Sequence, residues 1–99
     1  GLRDEVVAAI KTVYDPEIPV DVYELGLIYE INVFPVNNVY ILMTLTSPSV
    51  PAAEVLPDEV KQKLQAIEGV NEVELELSFD PPFTMEMMSE EAKLELGFM

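Results

Sequence analysis

The stretch LIYEINVFPVNNVYILMTLT, residues 27–46, decides the fold. Its first run, about Leu27 to Phe34, alternates Leu27, Tyr29, Ile31 and Val33 against Ile28, Glu30, Asn32 and Phe34. A two-residue period built from β-branched and aromatic side chains predicts a strand. Pro35-Val36-Asn37-Asn38 follows, with a proline that presets one backbone angle and asparagines that tolerate tight turns. The second run, Val39 to Thr46, is apolar on both faces up to Thr44, which predicts a central strand covered on each side. Two strands around such a turn predict an antiparallel hairpin.

Beyond the hairpin, Thr46-Ser47-Pro48-Ser49-Val50-Pro51 reads as a loop entering a helix over about residues 51–67. Ser49 is placed as its N-cap, and Leu56, Val60, Leu64 and Ile67 form its buried stripe. Pro57 predicts a kink or a break into two pieces, and Gly69 sits where a left-handed C-terminal cap belongs. A third strand spans Val70 to Phe79, with Val73, Leu75, Leu77 and Phe79 on one face and Glu72, Glu74, Glu76 and Ser78 on the other. Strand, helix, strand predicts a right-handed crossover that sets the second and third strands parallel.

Upstream, Leu2, Val6, Ile10 and Val13 predict a helix over residues 2–14, which Asp15-Pro16 ends. Residues 15–26, with two prolines and several acids, read as an ordered loop. Downstream, Asp80 to Met88 is extended, and Ser89 caps a short terminal helix whose first turn carries Glu90 and Glu91. The expected fold is an α/β, single-domain α-β-β-α-β(-α) sandwich over residues 1–99, with a mixed three-stranded sheet and helices mainly on one face.

Composition narrows the function classes. Hydrophobic residues make up 49% and charged residues 24%, which is ordinary globular usage. The net charge of −14, from five Lys and Arg against nineteen Asp and Glu, repels phosphates and anionic lipid. Neither nucleic acid nor membrane is therefore an expected partner. The first ten residues carry Arg3, Asp4 and Glu5 in helical pattern and show no cleavable signal, so the default location is the cytoplasm. With no cysteine and no histidine, disulfides, thiol nucleophiles, imidazole bases and the usual structural zinc sites are excluded for these residues. So is a cluster of iron and sulfide held by the chain's own thiolates.

Two loops are placed to carry chemistry. Thr46 to Pro51 lies at the carboxyl end of a strand and the N-terminus of a helix, where free N–H groups and the helix dipole favour binding. The loop that leaves the first helix is expected alongside, with Asp15 and Glu17 near the hydroxyls of Thr46 and Ser47. Each residue has a plainer reading as a turn or helix cap. Met85, Met87 and Met88 look like a soft-metal patch, yet methionine more often fills gaps in a core, and Phe83 is expected to plug the core's end.

Three stretches carry a family resemblance. Asp15-Pro16-Glu17-Ile18-Pro19-Val20-Asp21-Val22-Tyr23-Glu24-Leu25-Gly26-Leu27-Ile28-Tyr29 resembles the N-terminal signature of the PaaD/SufT-type iron–sulfur assembly domains. Met43-Thr44-Leu45-Thr46-Ser47-Pro48 with Pro51-Ala52-Ala53 is similar to the second motif. Asp80-Pro81-Pro82-Phe83-Thr84, Met87-Met88-Ser89 and Leu94-Glu95-Leu96-Gly97-Phe98 resemble the C-terminal signature. The resemblance implies an α/β domain and a non-catalytic accessory or adaptor role in iron–sulfur cluster assembly or delivery, with scaffold or client proteins as partners and no resident cofactor. It also implies a binding site of Asp15, Glu17, Thr46, Ser47 and Val50. At the last of these the family pattern places a cysteine, whose thiolate the helix dipole would stabilise.

Two rival readings rest on the same acids. A small hydrolase or isomerase would use Asp15 and Glu17 as an acid–base pair, though no nucleophile accompanies them. An oxygen-ligand site for calcium or magnesium would also draw on them, but their spacing matches no calcium loop. Homodimerisation is open to so small a domain, and nothing in the chain dictates it.

Overall fold

The computed structural model describes residues 1–15, 18–46 and 50–97, the side chains of residues 50–54 excepted. The elements run α1 (Leu2–Ile10), β1 (Ile28–Val33), β2 (Val39–Met43), α2 (Val50–Gln65), β3 (Val73–Leu77), a 3-10 turn (Met85–Met87) and α3 (Glu90–Glu95). The sheet order is β1-β2-β3, with β1 antiparallel and β3 parallel to the central β2. This is the expected mixed α/β sheet.

The hairpin turn follows from its residues. The Asn37 N–H donates to the Phe34 carbonyl at 2.8 Å, and the Phe34 N–H donates to the Asn38 carbonyl at 2.9 Å. Asn37 takes a positive φ of 61°, so Pro35 and Val36 form the corner and Asn37 the left-handed bulge of a three-residue hairpin. After α2, the Val70 N–H donates to the Ile67 carbonyl at 3.2 Å across Glu68 and Gly69, and Gly69 has φ 96°. Gly69 therefore turns the chain into β3, four residues past the helix end, instead of capping the helix itself.

Helices α1 and α2 pack against each other, α1 also against β1 and α2 against β3. Val6 and Ile10 of α1, Leu56, Val60 and Leu64 of α2, and Val39, Ile41 and Met43 of β2 share one buried core. The Arg3 guanidinium donates to the Ile31 carbonyl at 2.6 Å and ties α1 to β1. At the C-terminal end, the Ser89 hydroxyl accepts from the Ala92 N–H at 3.1 Å, as expected of the cap, and Phe83 packs on the core.

Four further expectations are corrected. The first helix ends at Ile10, because the Thr12 and Val13 N–H groups reach back only three residues, to Ala9 and Ile10, and Val13 is buried in the turn that follows. Strand β2 is covered on one face: Val39, Ile41 and Met43 are buried, whereas Tyr40 and Leu42 are only half-buried. The helical layer lies on one side, so an apolar run on both faces does not mean two covers. Helix α2 is continuous through Pro57, so it is not broken into two pieces there. Strand β3 is shorter than Val70–Phe79, and Leu77 and Phe79, expected on the core face, are 36% and 48% exposed.

Thr44, next after β2, is fully buried, and its hydroxyl has no hydrogen-bond partner among the described residues. A buried hydroxyl without a partner costs about 1–3 kcal/mol. Thr44→Val is thus expected to raise stability by about 1 kcal/mol, read as a higher urea midpoint with unchanged slope. A drop of similar size would show that the hydroxyl is satisfied.

Candidate functional site

The site is built where the chain leaves α1 and where it leaves β2. Past α1, Tyr14 and Asp21 pair as an isolated antiparallel bridge. The Asp15 N–H donates to the Val20 carbonyl at 3.3 Å and the Val22 N–H to the Val13 carbonyl at 2.9 Å. This small ladder closes the loop and buries Asp15 to 6% exposure. Its carboxylate accepts from the Ile18 N–H at 3.2 Å and from the Thr46 hydroxyl at 3.5 Å. The first bond holds the turn; the second joins the loop after α1 to the loop after β2.

Asp15 and Thr46 are therefore brought together. Glu17 and Ser47 lie outside the described residues, as does Ser49, the expected N-cap. Val50 opens α2, and its side chain also lies outside them. A neighbouring turn is fastened by Asp21, whose carboxylate accepts from the Tyr23 and Glu24 N–H groups at 3.1 and 3.0 Å. Lys11 pairs with Glu24 at 3.6 Å and lies 5.2 Å from the centre of the Tyr23 ring.

The methionines of the C-terminal segment do not gather into one patch. Met88 is buried in the core, Met85 is half exposed, and the Tyr29 hydroxyl reaches the Met87 sulfur at 3.5 Å while donating to the Pro81 carbonyl at 2.7 Å. Sequence reasoning missed this Tyr29 clasp, and also Gly26, which packs directly under the Met87 backbone. The signal for the second was present: a glycine between two large apolar residues, Leu25 and Leu27, marks a close approach or a left-handed turn.

Chemically, the described part of the site offers oxygen atoms only. Among the described residues, no three acids are placed to hold a metal ion. The ninety-nine residues contain no cysteine or histidine, so they offer no thiolate or imidazole to ligate an iron–sulfur cluster.

Comparison with known proteins settles the lineage. The family described as iron–sulfur cluster assembly protein matches residues 3–75. The chain belongs to this family. It is 48% identical over 97 residues to a Porphyromonas gingivalis protein named Fe-S protein maturation auxiliary factor, covering 98% of this chain and 92% of that protein. A Staphylococcus aureus protein of the same description, SufT, is 39% identical over 86% of this chain and 97% of its own length. Among solved structures, a domain of unknown function from Bacillus anthracis superposes with a TM-score of 0.90 at 36% identity, covering 99% of this chain and 93% of that one. A conserved hypothetical protein from Thermotoga maritima gives 0.82 at 44% identity, covering 96% and 93%. Both share the α/β fold described above. No described helix is long and apolar enough to cross a membrane.

Proposed function

We propose that residues 1–99 act as one non-catalytic adaptor domain that serves iron–sulfur protein maturation, bringing a cluster scaffold and a client protein together. One observation carries the reading: a chain with the family's fold end to end has no thiolate or imidazole with which to hold a cluster itself. What it offers is surface. The relatives' names, which call them auxiliary factors in maturation, point the same way.

Asp15, Glu17, Thr46, Ser47 and Val50 form the proposed contact site, with the Asp15–Thr46 hydrogen bond holding its two loops in register. No described feature favours the acid–base reading of Asp15 and Glu17. The test is complementation of a strain that lacks the gene, read as the activity of an iron–sulfur client enzyme. The present chain restores it if the adaptor reading is right, and Val50→Cys restores it equally. Asp15→Ala is expected to lower both stability, by about 2 kcal/mol, and client activity, because the Ile18 N–H and the Thr46 hydroxyl lose their acceptor. Restoration by Val50→Cys alone would mean that the thiol, and not the surface, is what the function needs.

A further inference from the structure

The helices leave one face of the sheet open, and its residues follow from the register. Glu30 and Asn32 of β1 pair with Leu42 and Tyr40 of β2, which pair in turn with Glu76 and Glu74 of β3. The centre of this face is apolar and its margins are acidic. Phe34 lies 48% exposed at the turn end of the hairpin. At the other end an open depression of about 600 Å³ is lined by Ile28, Tyr29, Glu30, Leu42, Asp80 and Pro81.

Charge is segregated to match. The three strands carry no lysine or arginine. All five cations of the chain, Arg3, Lys11, Lys61, Lys63 and Lys93, lie in α1, α2 or α3 or directly after α1. The Tyr40 hydroxyl donates to Glu76 at 3.0 Å. Loss of solvation on the strand, that hydrogen bond, and the charges of Glu76, Glu30 and Glu74 together raise the phenol above its ordinary value of 10.0. Acids alone would be a solvated face; acids around Tyr40, Leu42 and Phe34 are the make-up of an interface, with an aromatic and aliphatic centre inside a charged rim.

We propose that this open face docks a partner protein through a segment that sets lysine and arginine side chains around an apolar centre. A second copy of this chain fits poorly, since face-to-face pairing would set Glu30, Glu74 and Glu76 against their own equivalents. The inference rests on the adaptor reading for its purpose alone. A binding experiment on the purified chain reads the surface directly, so the two can fail separately.

The probe is a synthetic amphipathic helix of leucine and lysine, titrated into the isotope-labelled chain while amide shifts are followed by NMR. The expected shifts centre on Glu30, Tyr40, Leu42, Glu74 and Glu76, weaken at higher salt, and shrink with a peptide of lysine and serine. E74K/E76K is expected to weaken binding about tenfold or more, and the near-isosteric E74Q/E76Q to weaken it less but measurably. The charge-matched control E90K/E91K, on exposed positions of α3, is expected to leave affinity within about twofold. Equal weakening by both lysine pairs would reduce the effect to net charge and overturn the proposal. Shifts centred on the helices would overturn it too. So would a dimer in sedimentation that E74K/E76K dissociates, which would assign the face to a second copy.

Discussion

Gly26→Ala is expected to cost about 4 kcal/mol and to lower the melting temperature by roughly 15–30 °C. Two separate effects add. Gly26 has φ 85°, in the region that an L side chain rarely enters. A Cβ built there would also overlap the Met87 carbonyl oxygen and come within 2.7 Å of its carbonyl carbon and 2.9 Å of its Cβ. Neither backbone is free to yield. Gly26 closes its turn through a 3.0 Å bond to the Tyr23 carbonyl, and the Leu27 N–H is held by Val22 at 3.1 Å. On the other side the Met87 N–H donates to Thr84 at 3.0 Å, the Ser89 N–H to Glu24 at 2.8 Å, and Met88 is buried. Thermal unfolding followed by circular dichroism is the measurement. A shift of only about 3 °C would mean that the C-terminal segment does not sit on Gly26 as described.

The second large effect separates two neighbours on one strand. Ile41→Ala is expected to cost about 3–4 kcal/mol, and Leu42→Ala no more than about 1 kcal/mol. Ile41 is fully buried, aligned between Ile31 and Leu75 and in one core with Ile10, Val60 and Leu64. Leu42 points to the open face beside Glu30 and Glu76. By hydrophobicity alone the two substitutions should cost about the same; the sheet register makes them differ. A slip of one residue would exchange the two side chains between faces. Denaturant midpoints of the two variants therefore report the register of β2, and a reversed order would contradict it. Leu42→Ala also leaves the fold in place, so any loss of partner binding it causes belongs to the open face.

Much of the architecture was legible because local signals agreed with one another. The hairpin with its Pro35–Asn38 turn, the stripe of Leu56, Val60 and Leu64, and the Ser89 cap each carry their own chemistry, and each appears where expected. The errors share a physical origin. Val13 continues a helical stripe in the sequence but is buried from a turn, since burial comes from tertiary packing and does not require helix. Pro57 removes one hydrogen bond and still lies within α2, whose buried Leu56, Val60 and Leu64 hold the helix to the core. Leu77 and Phe79 alternate as a core face should, yet both are left exposed, since alternation marks a face without showing that anything covers it.

By itself, the amino-acid sequence determined the element types, the hairpin, the absence of thiolate and imidazole among these residues, and the acidic balance. These follow from residue identity and short-range periodicity, which a linear string contains in full. Only the folded chain decided which face of β2 is covered, that Gly26 must stay bare beneath Met87, and that Glu30, Glu74 and Glu76 share one surface with Tyr40 and Leu42. Each of these joins residues far apart in sequence, and their spacing is set by how the layers pack, a quantity no local pattern encodes.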